Sequence, residues 1–130
     1  MYLDASAILA ILLREPDGPA LAARIQRAAR IMTSPVSTLE ATVNLARAAQ
    51  MPVNAAETVV AAFLELVKAQ TVSITPEIGR RAIGAYARYG RGSGHAAKLN
   101  LGDVFAYACA KAHRVELLYK GKDFQHTDLA

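Results

Sequence analysis

Asp4, Glu40, Asp103 and Asp123 carry the chemistry that this sequence offers. Each falls where a short apolar segment ends or where a helical one begins. Carboxylates brought together repel, and a divalent cation that takes oxygen ligands removes the repulsion. Such a centre would activate water and steady the charge on an attacked phosphate. His95, His113 and His126 are scattered, and none stands at zinc-ligand spacing from a cysteine.

Each acid also has a structural reading. Ser37-Thr38-Leu39-Glu40 matches a capping box, in which Glu40 would bond a backbone amide. Asn100-Leu101-Gly102-Asp103 offers a cap and an acid favoured by the helix dipole. Asp4 can cap the helix that it precedes, and Asp123 can stabilise a turn. Singly these readings win, because helix starts attract acids generally. For the four together they do not, since only Lys120 and Lys122, both near Asp123, offer compensating charge. Asp128 lies close enough in sequence to Asp123 to reach the same place, and the sequence leaves its role open.

The elements that must position these acids follow from breakers and patterning. Met1–Asp4, Ile31–Ser34, Thr71–Ile74 and Glu116–Tyr119 read as short strands. Helices are expected over Ser6–Leu13, Ala20–Ala29, Thr38–Gln50, Ala55–Gln70, Pro76–Tyr89 and Leu101–Arg114. Glu15-Pro16-Asp17-Gly18-Pro19 breaks the chain, Asn54-Ala55-Ala56-Glu57 has a capping-box pattern, and Thr75-Pro76 starts a helix. Alternating strands and helices imply a mainly parallel sheet with helices on both faces.

Ligands of such sheets bind beyond the carboxyl ends of the strands, where Asp4, Glu40 and Asp123 are expected. For Asp103, the helix from Pro76 should carry the chain about 20 Å away from that edge. The loop Gly90–Lys98, which can span about 30 Å, would then bring it back.

The chain has 130 residues, which is one domain by length, and 53% are hydrophobic, which suits a packed core. Lys and Arg exceed Asp and Glu by 15 − 11 = 4, a surplus that favours polyanionic partners. Cys109 is alone, which excludes an internal disulfide and fits the cytoplasm. The start has no signal-peptide pattern. Its longest near-apolar run, Ala5–Leu13, is too short to cross a membrane.

Three segments make a family resemblance. Met1-Tyr2-Leu3-Asp4-Ala5-Ser6-Ala7-Ile8-Leu9-Ala10 resembles the opening of PIN-domain nucleases, in particular the VapC toxins of bacterial toxin–antitoxin pairs. Leu99-Asn100-Leu101-Gly102-Asp103-Val104-Phe105-Ala106-Tyr107-Ala108 is similar to their second acidic signature, and Leu117 through Asp128 to their C-terminal one. Glu40, in Ser37-Thr38-Leu39-Glu40, sits where the family carries a glutamate. The order is right and the signatures lie at both ends of the chain. Lys122 and Val104 depart mildly from the pattern, Lys122 as either a phosphate contact or a neutraliser of Asp123.

The resemblance implies a PIN-like three-layer α/β/α sandwich over residues 1–130 and a magnesium-dependent endoribonuclease, with manganese as the substitute ion. Asp4 and Asp103 would be the main metal ligands, Glu40 and Asp123 would complete the catalytic cluster, and Ser6 would hydrogen-bond near the metal or cap its helix. Glu40 or Asp123 would position water or accept its proton, giving a 5′-phosphate and a 3′-hydroxyl. A VapB-type antitoxin is the implied partner. The apolar pair of helices over Thr38–Gln70 would receive it or form a homodimer.

Arg88, Arg91, His95 and Lys98 would hold RNA phosphates. Tyr86 and Tyr89 are read either as base-stacking groups or as core. Three rivals stand beside the toxin: a PIN nuclease of RNA maturation, a catalytically silent PIN-like domain that binds RNA or protein, and an aspartyl phospho-acceptor domain. The last would need an acid pair at the first strand, and Leu3 and Ala5 supply none.

Overall fold

A computed structural model describes residues 1–130. Four two-residue strands, β1 (Tyr2–Leu3), β2 (Met32–Thr33), β3 (Gln70–Thr71) and β4 (Leu117–Leu118), form a parallel sheet in the order β3-β2-β1-β4. Six helices surround it: α1 (Ala5–Leu12), α2 (Gly18–Arg27), α3 (Pro35–Ala49), α4 (Val53–Leu66), α5 (Pro76–Tyr89) and α6 (Leu101–His113). No helix is long and apolar enough to cross a membrane.

Because side chains alternate across a strand, the sheet builds two cores. Leu3 and Leu118 face α1 to α4 in one, while Tyr2, Met32 and Leu117 face α5 and α6 in the other. The expected three-layer α/β/α sandwich is therefore the observed architecture. The strands are shorter than the apolar segments that announced them, because only the central residues find ladder partners.

Several local expectations are corrected. Gly18 and Pro19 open α2 rather than break the chain, since proline in a first turn lacks only an amide that has no partner there. Asn54 and Glu57 form no capping box: α4 starts earlier, at Val53, and Asn54 Oδ1 instead accepts from the Ala55 amide. In α3 the cap is Ser34, which accepts from the Ser37 amide at 3.5 Å, and Pro35 stands in the first turn. Glu40 thus lies in the second turn, beyond reach of a capping role.

The course of α5 also differs from expectation. The first turn of α5 (Glu77, Ile78) shares a cavity wall with the last turn of α6 (Ala112, His113). At the other end, Gly90 bridges to Leu99, with Leu99 N donating to Tyr89 O at 2.8 Å and Arg91 N to Leu99 O at 3.0 Å. The two helices are therefore an antiparallel pair, and α5 itself delivers the chain to the start of α6. The loop between them is closed at its neck and has no distance to cover.

A buried polar knot ties α3 to β1. Tyr2 has no exposed surface, and its hydroxyl hydrogen-bonds Ser34 Oγ and Ser37 Oγ, each at 2.7 Å. Burial holds this phenol far above its usual pKa, so it stays neutral. Thr33 Oγ1 adds a bond to Leu3 O at 3.0 Å. Tyr2→Phe leaves two buried serine hydroxyls short of a partner, and chemical denaturation should show a loss of about 1–3 kcal/mol.

Candidate active site

Asp4 follows β1 and caps α1, so it stands at the carboxyl edge of the sheet. Its amide donates to Leu118 O at 3.0 Å, which keeps it level with the end of β4. Its Oδ2 accepts from the Ser6 amide at 3.0 Å and the Ser6 hydroxyl at 2.5 Å. Ser6 Oγ in turn accepts from the Lys120 amide at 3.0 Å. The two readings of Ser6 thus merge: it braces Asp4 and ties it to the segment that leads to Asp123.

Asp103 sits in the first turn of α6 in a complete capping box. Its Oδ2 accepts from the Asn100 amide at 3.0 Å, and its own amide donates to Asn100 Oδ1 at 2.8 Å. Asp4 and Asp103 are only 5% and 7% exposed. In both, these bonds fall on Oδ2, which leaves Oδ1 for another ligand.

Glu40 is half-buried on α3, and its carboxylate presses against Gly102, where a Cβ would run into both carboxylate oxygens. This is the role that the sequence reading missed. Glycine before Asp103 makes room for a side chain arriving from another helix, and a bare glycine in a helix start gives no such signal. Asp123 is exposed and follows the Gly121 turn, while the neighbouring Phe124 is 1% exposed with its ring 5.0 Å from that of Tyr119. Phe124 anchors the segment that carries Asp123.

The electrostatics show the acids acting on one another. Burial and then the charges of Asp4 and Asp103 push Glu40 up to about 7. Burial is also the main cause that pushes Asp103 up to about 6, with repulsion from Asp4 and Asp123 added. Asp4 is raised as well, again by burial first and with Asp123 contributing. Asp4 and Asp103 are therefore the centre, with Glu40 and Asp123 flanking it.

The other sequence-stated neighbours fall elsewhere. Lys120 does not serve Asp123: its Nζ pairs with Glu15 and lies 3.6 Å from Asp17. Lys122 enters no ion pair. Asp128 binds the Tyr107 hydroxyl at 2.6 Å and Lys111 Nζ at 2.9 Å, which holds its carboxyl below the usual range and fastens the C-terminal tail to α6. Tyr89 is core, at 2% exposed, with the Arg88 guanidinium 4.7 Å above its ring. Tyr86 is 38% exposed.

Two outcomes follow from this geometry. The raised value of Glu40 means that ionisation penalises the folded state. The penalty is absent below about pH 4, grows as pH rises towards 7 and is constant above. Urea denaturation in chelator should therefore find Glu40→Gln more stable than the parent at about pH 8, by about 1 kcal/mol after solvent screening, and equal to it at about pH 4. Gly102→Ala should push Glu40 outward, and NMR titration should then find the Glu40 carboxyl back near its ordinary 4.5.

The PIN domain family model matches residues 1–129. A VapC ribonuclease of Rhizobium meliloti (strain 1021) is 39% identical over 139 aligned residues, covering 98% of each chain. Ribonuclease VapC42 of Mycobacterium tuberculosis is 34% identical over 129 residues, 99% of this chain and 96% of its own. Among solved structures, M. tuberculosis VapC20, described as a Sarcin-Ricin loop cleaving toxin, has a TM-score of 0.76 at 13% identity, covering 99% of this chain and 95% of that one. A toxin–antitoxin complex from Klebsiella pneumoniae has a TM-score of 0.69 at 19% identity, covering 98% and 92%. The structural likenesses establish the shared fold and the sequence likenesses the kinship: the chain belongs to the PIN domain family, among the VapC ribonucleases.

Proposed function

We propose that residues 1–130 form a single-domain, magnesium-dependent endoribonuclease, with manganese as substitute ion, acting as the cytoplasmic toxin of a VapBC-type pair. The observation that carries this reading is the meeting of Asp4, Asp103, Glu40 and Asp123 without a dedicated base. The charge of Arg91 reaches Asp103, but only as the smallest influence on it. Four acids without an ion-pair partner, three of them with raised affinity for protons, are a donor set that suits a hard divalent cation.

No three Asp, Glu, His or Cys side chains converge closely enough to hold an ion together. Magnesium keeps several waters and takes one or two carboxylates, so a pair of them is enough to seat it. Asp4 and Asp103, the central pair, would hold it through the oxygens that their caps leave over. When bound, the ion would supply charge stabilisation at the attacked phosphate and a more acidic water. Glu40, on the flank of this pair, would position the attacking water or accept its proton. Asp123, exposed and tethered by Phe124, would complete the cluster from the other side, and Ser6 holds Asp4 in place.

RNA as substrate is supported by the names of the relatives and by the surplus of 4 positive charges. An antitoxin partner is supported by the toxin–antitoxin neighbour and by a cavity of about 770 Å³ between α2 and α4, lined by Ile25, Phe63, Leu66 and Val67 with Arg30 and Lys68 at its border. Leu66 is 81% exposed there. Leu39 on α3 and Val59 on α4, also exposed, are the side chains proposed to face a second copy in a homodimer.

Purified protein should cleave cellular RNA in magnesium and stop in chelator. Asp4→Asn should lower the rate by more than the roughly 10–100-fold that loss of an outer-shell partner costs. Undiminished cleavage in chelator or in the variant overturns the metal–carboxylate reading.

A further inference from the structure

The loop that joins α5 to α6 carries a feature that the acidic cluster does not use. Arg91, Gly92, Gly94, His95 and Lys98 line a cavity of about 470 Å³ with no apolar side chain in its wall. The loop is an ordered element with its own bonds. Its neck is closed by the Gly90–Leu99 bridge. Inside, Ser93 Oγ donates to Gly90 O at 2.7 Å and accepts from the His95 amide at 3.2 Å. The edge-on packing of His95 and Tyr89, with ring centroids 4.9 Å apart, fixes the imidazole against the core.

The polar side chains that line this cavity, Arg91, His95 and Lys98, offer donors. His95 Nδ1 accepts from the Ala97 amide at 3.0 Å, so a neutral ring carries its proton on Nε2. Arg91 and Lys98 are exposed, and neither enters any of the protein's five ion pairs. Four of the 15 cations, Arg24, Arg81, Lys111 and Lys120, hold a carboxylate; what sets Arg91 and Lys98 apart from the rest is the cavity that they share. Two cations without ion-pair partners and an imidazole donor, in a wall that has no apolar residue, form a receptor for an anion with several oxygens.

Its place matters equally. Leu99 runs directly into Asn100, the cap of α6, which is hydrogen-bonded to Asp103 in both directions. The Arg91 guanidinium is close enough for its charge to lower the Asp103 carboxyl, although burial and the other acids outweigh it. An RNA strand crossing the acidic cluster therefore meets these donors next. A cluster of carboxylates repels a phosphodiester backbone, so a strand laid across it needs cationic contacts at its side.

We infer that the Gly90–Leu99 loop is a phosphate clamp, in which Arg91 and Lys98 hold the RNA backbone at a phosphate flanking the one to be cut. The inference rests on the nuclease reading and adds a binding site to it. Contacts of this kind supply affinity and register, not base choice.

The test is the salt dependence of binding, measured by fluorescence anisotropy in chelator with a labelled single-stranded RNA of roughly 12 nucleotides. Each phosphate contact to a single strand contributes about 0.7 to the slope of log affinity against log salt. The double variant Arg91→Gln/Lys98→Gln should lower the slope by about 1.4 with an unchanged melting temperature. Arg27→Gln removes a charge beside Glu116, at the opposite edge of the sheet, and should leave the slope as it was.

An unaltered slope in the double variant overturns the clamp. If that variant also loses capture of an antitoxin, the loop is a protein-docking surface instead. Parent protein that cleaves RNA in magnesium while the variant keeps its slope sinks the clamp and spares the nuclease. Parent protein that binds RNA with the expected slope change, yet never cleaves it, sinks the nuclease and spares the clamp.

Discussion

Asp4 and Asp103 are buried carboxylates within electrostatic reach of each other and of two more acids. Like charges taken out of water cost folding energy. What makes the arrangement tolerable is that each acid also has a local structural task. Asp4 caps α1 and Asp103 completes the capping box that Asn100 opens on α6, each through Oδ2. A carboxylate has two oxygens, and in both residues one serves the helix while the other is left for a ligand. Capping and ligation are thus not competing explanations of these residues.

Rigidity around the cluster follows from the same constraint. Mutually repelling side chains move apart unless their backbones are held. Tyr2, Ser34 and Ser37 lock the start of α3 onto β1, and α3 carries Glu40. Gly102 lets that glutamate close onto α6, and Phe124 pins the segment of Asp123. Stability is spent where the site is made, a trade usual for functional sites. A ligand that binds only the folded site returns stability to it.

Charge is sorted across the molecule in a way that net composition hides. Glu15, Asp17, Glu77, Glu116 and Asp128 all pair with a lysine or arginine. The four acids of the cluster enter no ion pair at all, and Arg91 and Lys98 beside them are also unpaired. Glu57 and Glu65, both on α4, are the other acids without such a partner. What sets the cluster apart is that its four unpaired acids stand together at one edge of the sheet, with Arg91 and Lys98 at its side.

Much was legible in the chain itself, because the signals were local. Proline at the start of α5 and the Asn100–Asp103 cap depend on neighbours within a few residues, and helix starts obey them. The alternation of short apolar strands with helices was enough for a three-layer parallel fold and for the edge at which the acids meet. What failed was also local in appearance: Ser37–Glu40 and Asn54–Glu57 look like capping boxes, yet Pro35 and Val53 begin their helices earlier. Lys120 stands beside Asp123 in sequence, but its side chain goes to Glu15 and Asp17. The direction of α5, the room that Gly102 makes for Glu40 and the partners of each charge belong to the tertiary structure alone. They depend on residues brought together from distant segments, and the spacing of one chain carries no information about which long-range contact wins.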